Sequence, residues 1–138
     1  MRCLLISLLL SGTMAVASAA EIFIVHPDLQ SVSLSAADIA EVLHGRRTTW
    51  PNGVRIALIA LEDQSSATMT TILKEFARKS PAQFLAYWKR QVFTGKGAMP
   101  RIATNEVEML TLVSSIPGAL GFIDDRQLTE AVRVLTIR

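Results

Sequence analysis

The run Glu62-Asp63-Gln64-Ser65-Ser66-Ala67-Thr68 concentrates hydroxyl groups where an apolar stretch gives way to an amphipathic one. Hydroxyls and free backbone N–H groups at the start of a helix attract an anion, helped by the positive end of the helix dipole. The same serines can serve the helix itself, Ser65 or Ser66 accepting from an N–H one turn further on. The two roles are compatible, because a cap leaves other N–H groups free. Ser65, Ser66 and Thr68 are therefore the candidate anion-binding residues.

Other groupings carry less chemistry. His26 and His44 are the only histidines, and neither stands in an HExxH or similar metal-ligand spacing. No GxSxG elbow precedes an expected helix. Asp124-Asp125 is a carboxylate pair, but adjacent residues in a turn read as solvated charge. The chain thus offers no catalytic residue, no metal-ligand set and no cofactor motif, and is expected not to be an enzyme. Tyr87, Trp88 and Phe93 could stack on a sugar or base, yet their helical spacing reads as core. Arg46-Arg47 beside Trp50 is either a basic docking patch or a solvated loop. Lys96 and Arg101 would add positive charge near an anion only if the fold brought them there.

The elements that must hold these residues alternate in type. Ile22-Phe23-Ile24-Val25 reads as a buried strand. Ser35-Ala36-Ala37-Asp38 is a helix-start box with Leu34 and Ile39 as its staple. Ile39, Val42 and Leu43 follow at helical spacing, and Gly45 ends that helix. Pro51-Asn52-Gly53 is a turn, and Val54 to Leu61 reads as a strand covered on both faces. A second helix is expected from about Ser66 to Lys79, with Met69, Ile72, Leu73 and Phe76 on one face. Ser80-Pro81-Ala82-Gln83 starts a third, which carries Phe84, Leu85, Trp88 and Val92 inward and stops near Gly95-Lys96-Gly97. A fourth covers Asn105 to Ser115, with Val107, Leu110 and Val113 inward, and Pro117-Gly118 breaks it. Ala119 to Ile123 and Val132 to Ile137 read as two more strands. Such alternation gives an α/β domain, three layers around a small sheet.

Four short motifs fall in a telling order: Leu43-His44-Gly45 with Trp50-Pro51-Asn52-Gly53, Ser65-Ser66-Ala67-Thr68, Tyr87-Trp88 with Phe93-Thr94-Gly95, and Pro117-Gly118-Ala119-Leu120-Gly121-Phe122. Together they resemble one lobe of the periplasmic phosphate-binding proteins that serve ABC transporters, over Ile22 to Ile137. Ser66-Ala67-Thr68 is similar to that family's Ser-Gly-Thr triplet, and Pro117 to Phe122 to its Pro-Gly-Ala-Ile-Gly-Tyr segment. The resemblance implies a single binding-protein lobe, a small central sheet flanked by helices. It also implies phosphate or another small oxyanion as ligand, in uptake or sensing, with an ABC transporter or sensor protein as partner. The family places an Arg and an Asp just before the triplet; Glu62 and Gln64 stand there here, and Ala67 replaces the central Gly. An acidic Glu62 opposes an anion by like-charge repulsion. Because only one lobe's worth of chain is present, a second reading stands beside the first: an interaction, sensory or assembly module that kept the fold without the ligand.

The ends and the balance of charge place the chain. Met1-Arg2, an apolar run from Cys3 to Val16 and the small residues Ala17-Ser18-Ala19-Ala20 have the layout of a cleaved secretory signal, too short to be a membrane span. Residues 1–20 are thus expected to be removed, leaving residues 21–138 as one periplasmic domain that does not span the membrane. The single cysteine, Cys3, leaves with the signal, so the domain relies on its core rather than a disulfide. With 14 Lys and Arg against 12 Asp and Glu, the balance lacks the strongly basic character of a nucleic-acid binder. Mass spectrometry of the exported product should find a chain beginning at Ala20 or Glu21; retention of residues before Ala17 would defeat the cleavage reading.

Overall fold

The protein is described by a computed structural model covering residues 20–30 and 32–138; apart from Ala20, the expected export signal lies outside these residues. The elements are β1 (Glu21–Val25), β2 (Ser33–Leu34), α1 (Ala36–Leu43), β3 (Ala57–Leu61), α2 (Ala67–Ile72), α3 (Pro81–Phe93), β4 (Arg101–Ala103), α4 (Glu106–Ser115), β5 (Ala119–Asp124), β6 (Arg133–Val134) and β7 (Thr136–Ile137). Five strands form one sheet in the order β4-β3-β5-β1-β6, and β2 pairs with β7 apart from it. β3 runs parallel to both β4 and β5, while β1 is antiparallel to β5 and to β6. The expected α/β lobe, a small central sheet flanked by helices, is the fold observed.

Two faces of the sheet are covered. Phe23 and Phe122 lie opposite one another on β1 and β5 and meet edge to face at 6.3 Å. Phe76, just beyond α2, meets Phe23 edge-on at 5.0 Å and closes that side. On the other face α4 approaches β5 so closely that a Cβ at Gly121 would lie 2.5 Å from the Met109 sulfur. Ile59, Ala60 and Leu61 of β3 are fully or almost fully buried, as a parallel strand between two layers must be.

Local sequence explains most boundaries. Ser35 and Asp38 make the reciprocal capping box of α1, and Ser80 and Gln83 that of α3, with Pro81 at its first position. Asn105 caps α4 through its side-chain oxygen, which accepts from the Glu108 N–H. At the end of α1, Gly45 takes φ of +72°, and any Cβ there would come within 2.5 Å of the Trp88 ring.

Several expectations are corrected. The helix expected from Ser66 to Lys79 is α2 followed by a π-helical segment, Leu73–Ala77, which ends at Arg78 with φ of 53°. The wider turn keeps Leu73 and Ala77 buried while Phe76 turns toward Phe23. β3 begins at Ala57, because Val54 and Arg55 belong to an exposed turn bridged through Thr49 and Arg55. Val107 is 68% exposed and Met109 takes its place inside α4. Val92 and Phe93 also lie outward at the end of α3, with Phe93 93% exposed, so neither belongs to the core. The last expected strand is two short ones interrupted at buried Leu135, and β2 and β4 had no expectation in the sequence.

Trp88 joins three parts of the chain. It is buried, packs edge-on against Phe84 and Tyr87, and donates its indole N–H to the Leu43 carbonyl at 3.1 Å. Tyr87 adds a second tie from α3, its hydroxyl donating to the His44 carbonyl at 2.7 Å. Trp88→Ala therefore removes both a large buried ring and a link to the end of α1, and should cost about 3–5 kcal/mol in chemical denaturation. A loss below about 1 kcal/mol would mean that the ring contributes no packing.

Candidate functional site

The parallel strands β3, β4 and β5 all point their C-terminal ends to one side, where ligands of open α/β sheets gather. β3 leaves the sheet at Leu61, and the Glu62 N–H donates to the Ala103 carbonyl at 2.8 Å, holding the ends of β3 and β4 together. Asp63 then folds the chain back: one carboxylate oxygen accepts from the Ser65 N–H at 2.9 Å and from the Ser65 hydroxyl at 2.6 Å. Ser66 caps α2, its hydroxyl accepting from the Met69 N–H at 3.2 Å. Thr68 is 6% exposed, turned in against the body of the domain. The three candidates thus share one junction, but Ser65 is tied to Asp63, Ser66 to its own helix, and Thr68 is buried. Glu62 and Gln64 are both exposed beside them.

The neighbouring junctions supply carboxylates. Beyond β4, Glu108 accepts from the Thr104 N–H and hydroxyl, which holds its carboxyl below the usual range. Glu106 reaches across to accept the Asp124 N–H at 3.1 Å, joining the start of α4 to the end of β5. Asp124 is gripped by Arg126, whose guanidinium donates at 3.0 and 2.7 Å, and its pKa is pushed down to about 2. The Ser65 hydroxyl and N–H likewise hold Asp63 low. Antiparallel pairing of β1 with β5 sets Glu21 opposite Asp124 at the same end. This end of the sheet therefore gathers carboxylates, of which Asp63, Glu108 and Asp124 are held below their usual range and Asp124 is paired with Arg126.

None of these flanking carboxylates was singled out as part of a site from the sequence. They come from junctions far apart in the chain, and the pairing of β3 with β4 and β5, and of β5 with β1, gathers them. Conversely, Pro117-Gly118 lies at the N-terminal end of β5, the opposite end of the sheet from Ser65, Ser66 and Thr68. There its carbonyl serves the framework: the Gly118 oxygen accepts from the Trp50 indole at 2.9 Å and from the Ala57 N–H at 3.0 Å. Asp124-Asp125, read as solvated turn charge, lies with the gathered carboxylates. Among the described residues no group of His, Cys, Asp and Glu is arranged to hold a metal ion.

No protein-family model and no curated protein sequence matches the chain. Solved structures do. A protein from Clostridium perfringens assigned as a phosphate ABC transporter substrate-binding protein, solved with bound phosphate, superposes with a TM-score of 0.67 at 16% identity over 86% of this chain and 45% of its own. PstS from Borrelia burgdorferi gives 0.64 at 16% identity over 87% and 47%, and an ABC-type phosphate transport receptor from Vibrio cholerae 0.59 at 15% over 86% and 46%. The chain has the fold of one lobe of the phosphate-binding proteins. This lobe spans less than half the length of the proteins it matches. Among its described residues no helix is long and apolar enough to cross a membrane.

Because the carboxyl of Asp124 is depressed in the folded lobe, its contribution to stability is present above the ordinary value of 3.8 and is lost as pH falls toward about 2. Arg126→Gln removes the chief cause. An NMR titration should then show the Asp124 pKa climbing from about 2 toward 3.8, and acid unfolding should lose part of its pH dependence in that window. An unchanged Asp124 titration would mean that Arg126 does not hold it.

Proposed function

We propose that this chain is an exported, non-catalytic binding lobe that works against a partner surface rather than by holding a free anion on its own. The observation that carries this is the set of carboxylates gathered at the same end of the sheet as the junction where an oxyanion would dock: Glu62, Asp63, Glu106, Glu108 and Asp124, the last paired with Arg126. Like charges oppose an anion there, and a single wall cannot exclude water from it. The positive charge for an oxyanion would have to come from the facing protein, a transporter or a sensor. Both the interaction-module reading and an oxyanion shared between two proteins fit this arrangement. The periplasm is the compartment in keeping with the signal-like N-terminus and with the fold of transport receptors.

A second reading, capture of phosphate or a similar oxyanion by the lobe alone, draws on the bound phosphate of the Clostridium perfringens protein and on Ser66 and Thr68 at the start of α2. Calorimetry of the mature domain against phosphate and sulfate separates the two. Affinity no better than millimolar is expected for the lobe alone. Glu62→Gln should tighten binding by removing like charge. Thr68→Val should weaken it by about 1.5–3 kcal/mol, roughly tenfold to a hundredfold, if the hydroxyl contacts the ion. Opposite signs distinguish a local effect from a general loss of folding, and thermal melts check the latter. Micromolar binding by the parent chain would overturn the partner reading in favour of the second.

A further inference from the structure

The opposite end of the sheet has the opposite charge. Between α1, the loop after α3 and the N-terminal ends of β3 and β4 lies an open cavity of about 370 Å³. Arg47, Arg55, Lys96 and Arg101 line it, with no carboxylate in its wall. Arg47 is paired with Asp38 at 3.0 Å. Among the described residues no acidic side chain pairs with Arg55, Lys96 or Arg101. The cavity floor is apolar: Trp88 lies there with Val42, Ile56 and Pro100.

The floor is built rather than incidental. Trp88 is held by its bond to the Leu43 carbonyl, and both loops that frame it bring a glycine against the ring. A Cβ at Gly45 would reach 2.5 Å from the ring, and one at Gly97 would come to 3.5 Å. The indole thus stays packed while the cavity beside it stays open. Convergent unpaired cations repel one another, and an anion placed between them relieves that repulsion while gaining charge-assisted hydrogen bonds. An apolar floor under such a rim favours a ligand with a hydrophobic body, and the volume limits it to a small molecule.

We infer that this cavity binds a small organic anion, a ring or short apolar body bearing a phosphate or carboxylate group. The anionic group sits among Arg55, Lys96 and Arg101, and the body rests against the Trp88 floor. The site is separate from the Ser66 junction, at the other end of the same strands.

The test is titration of the mature domain with phenyl phosphate, benzoate, inorganic phosphate and phenol, read by calorimetry and by NMR of the Trp88 indole and Gly97 amide. Phenyl phosphate or benzoate should bind more tightly than either inorganic phosphate or phenol, shifting both signals and weakening as salt is raised. Comparing the two ring anions tells phosphate from carboxylate. Because the rim side chains are exposed, Arg55→Gln and Arg101→Gln should leave the fold intact while each weakens binding about tenfold. Arg133→Gln, which removes an exposed cation on edge strand β6 away from the cavity, should leave it unchanged. Absence of saturable binding of either ring anion at millimolar concentration overturns the inference, as does binding that survives the Arg55→Gln, Arg101→Gln double variant. Inorganic phosphate binding as tightly as phenyl phosphate would overturn the assignment of the apolar floor.

Discussion

β3 is hydrogen-bonded on both sides to strands running its own way, and that parallel pairing governs the rest of the lobe. Parallel neighbours cannot be joined by a tight turn, so the chain must cross over the sheet between them. The crossovers are α2 with α3 on the way to β4, and α4 on the way to β5. They bring apolar faces to both sides of the sheet, which is why the inner part of β3 carries no polar side chain. Parallel pairing also gives the sheet a direction. Every strand-to-helix junction after β3 and β4 emerges at one end, and every return enters at the other.

Much of this was legible in the chain. The capping boxes at Ser35 and Ser80 and the breaks at Gly45 and Pro117-Gly118 are encoded within a few residues, and the structure keeps them. β1 and β5 were equally visible, because their apolar runs are bounded by turn residues. What the sequence concealed depends on partners distant along the chain. β4 is only Arg101–Ala103, too short for a pattern, and exists because β3 offers it a parallel edge. Val107 and Met109 compete for the inward position of α4, and the close approach to Gly121 decides for Met109. The π-helical segment changes which residues face the sheet, and a simple helical period cannot foresee it.

The candidate site divides in the same way. The hydroxyl cluster at Ser65, Ser66 and Thr68 was visible as a local pattern, and so was the like charge of Glu62. The remaining carboxylates gather only through the topology, by contacts such as Glu106 with the Asp124 amide. Of the cationic cavity, Arg47, Lys96 and Arg101 were visible as separate positive charges, but not that they share one cavity with Arg55 and Trp88. Arg47 with Arg55, and Lys96 with Arg101, come from two stretches far apart in the chain, and a nearly balanced total of 14 basic and 12 acidic residues gives no sign that these four cations gather at one end.

That gathering has an electrical consequence. A five-residue strand rises roughly 16–17 Å, about twice the Debye length of roughly 8 Å at physiological salt. Each end is therefore largely hidden from the other by mobile ions: an anion gathered among the arginines gains little field at the carboxylates, and a cationic surface docked on these does little to the arginines. News of occupancy at one end can reach the other only by displacement of the framework between them. At Gly118 that framework leaves no slack, since its carbonyl is held by Trp50 and Ala57 and the backbone of Arg55 lies where a Cβ would be. In this sense the two ends of the lobe are electrically separate.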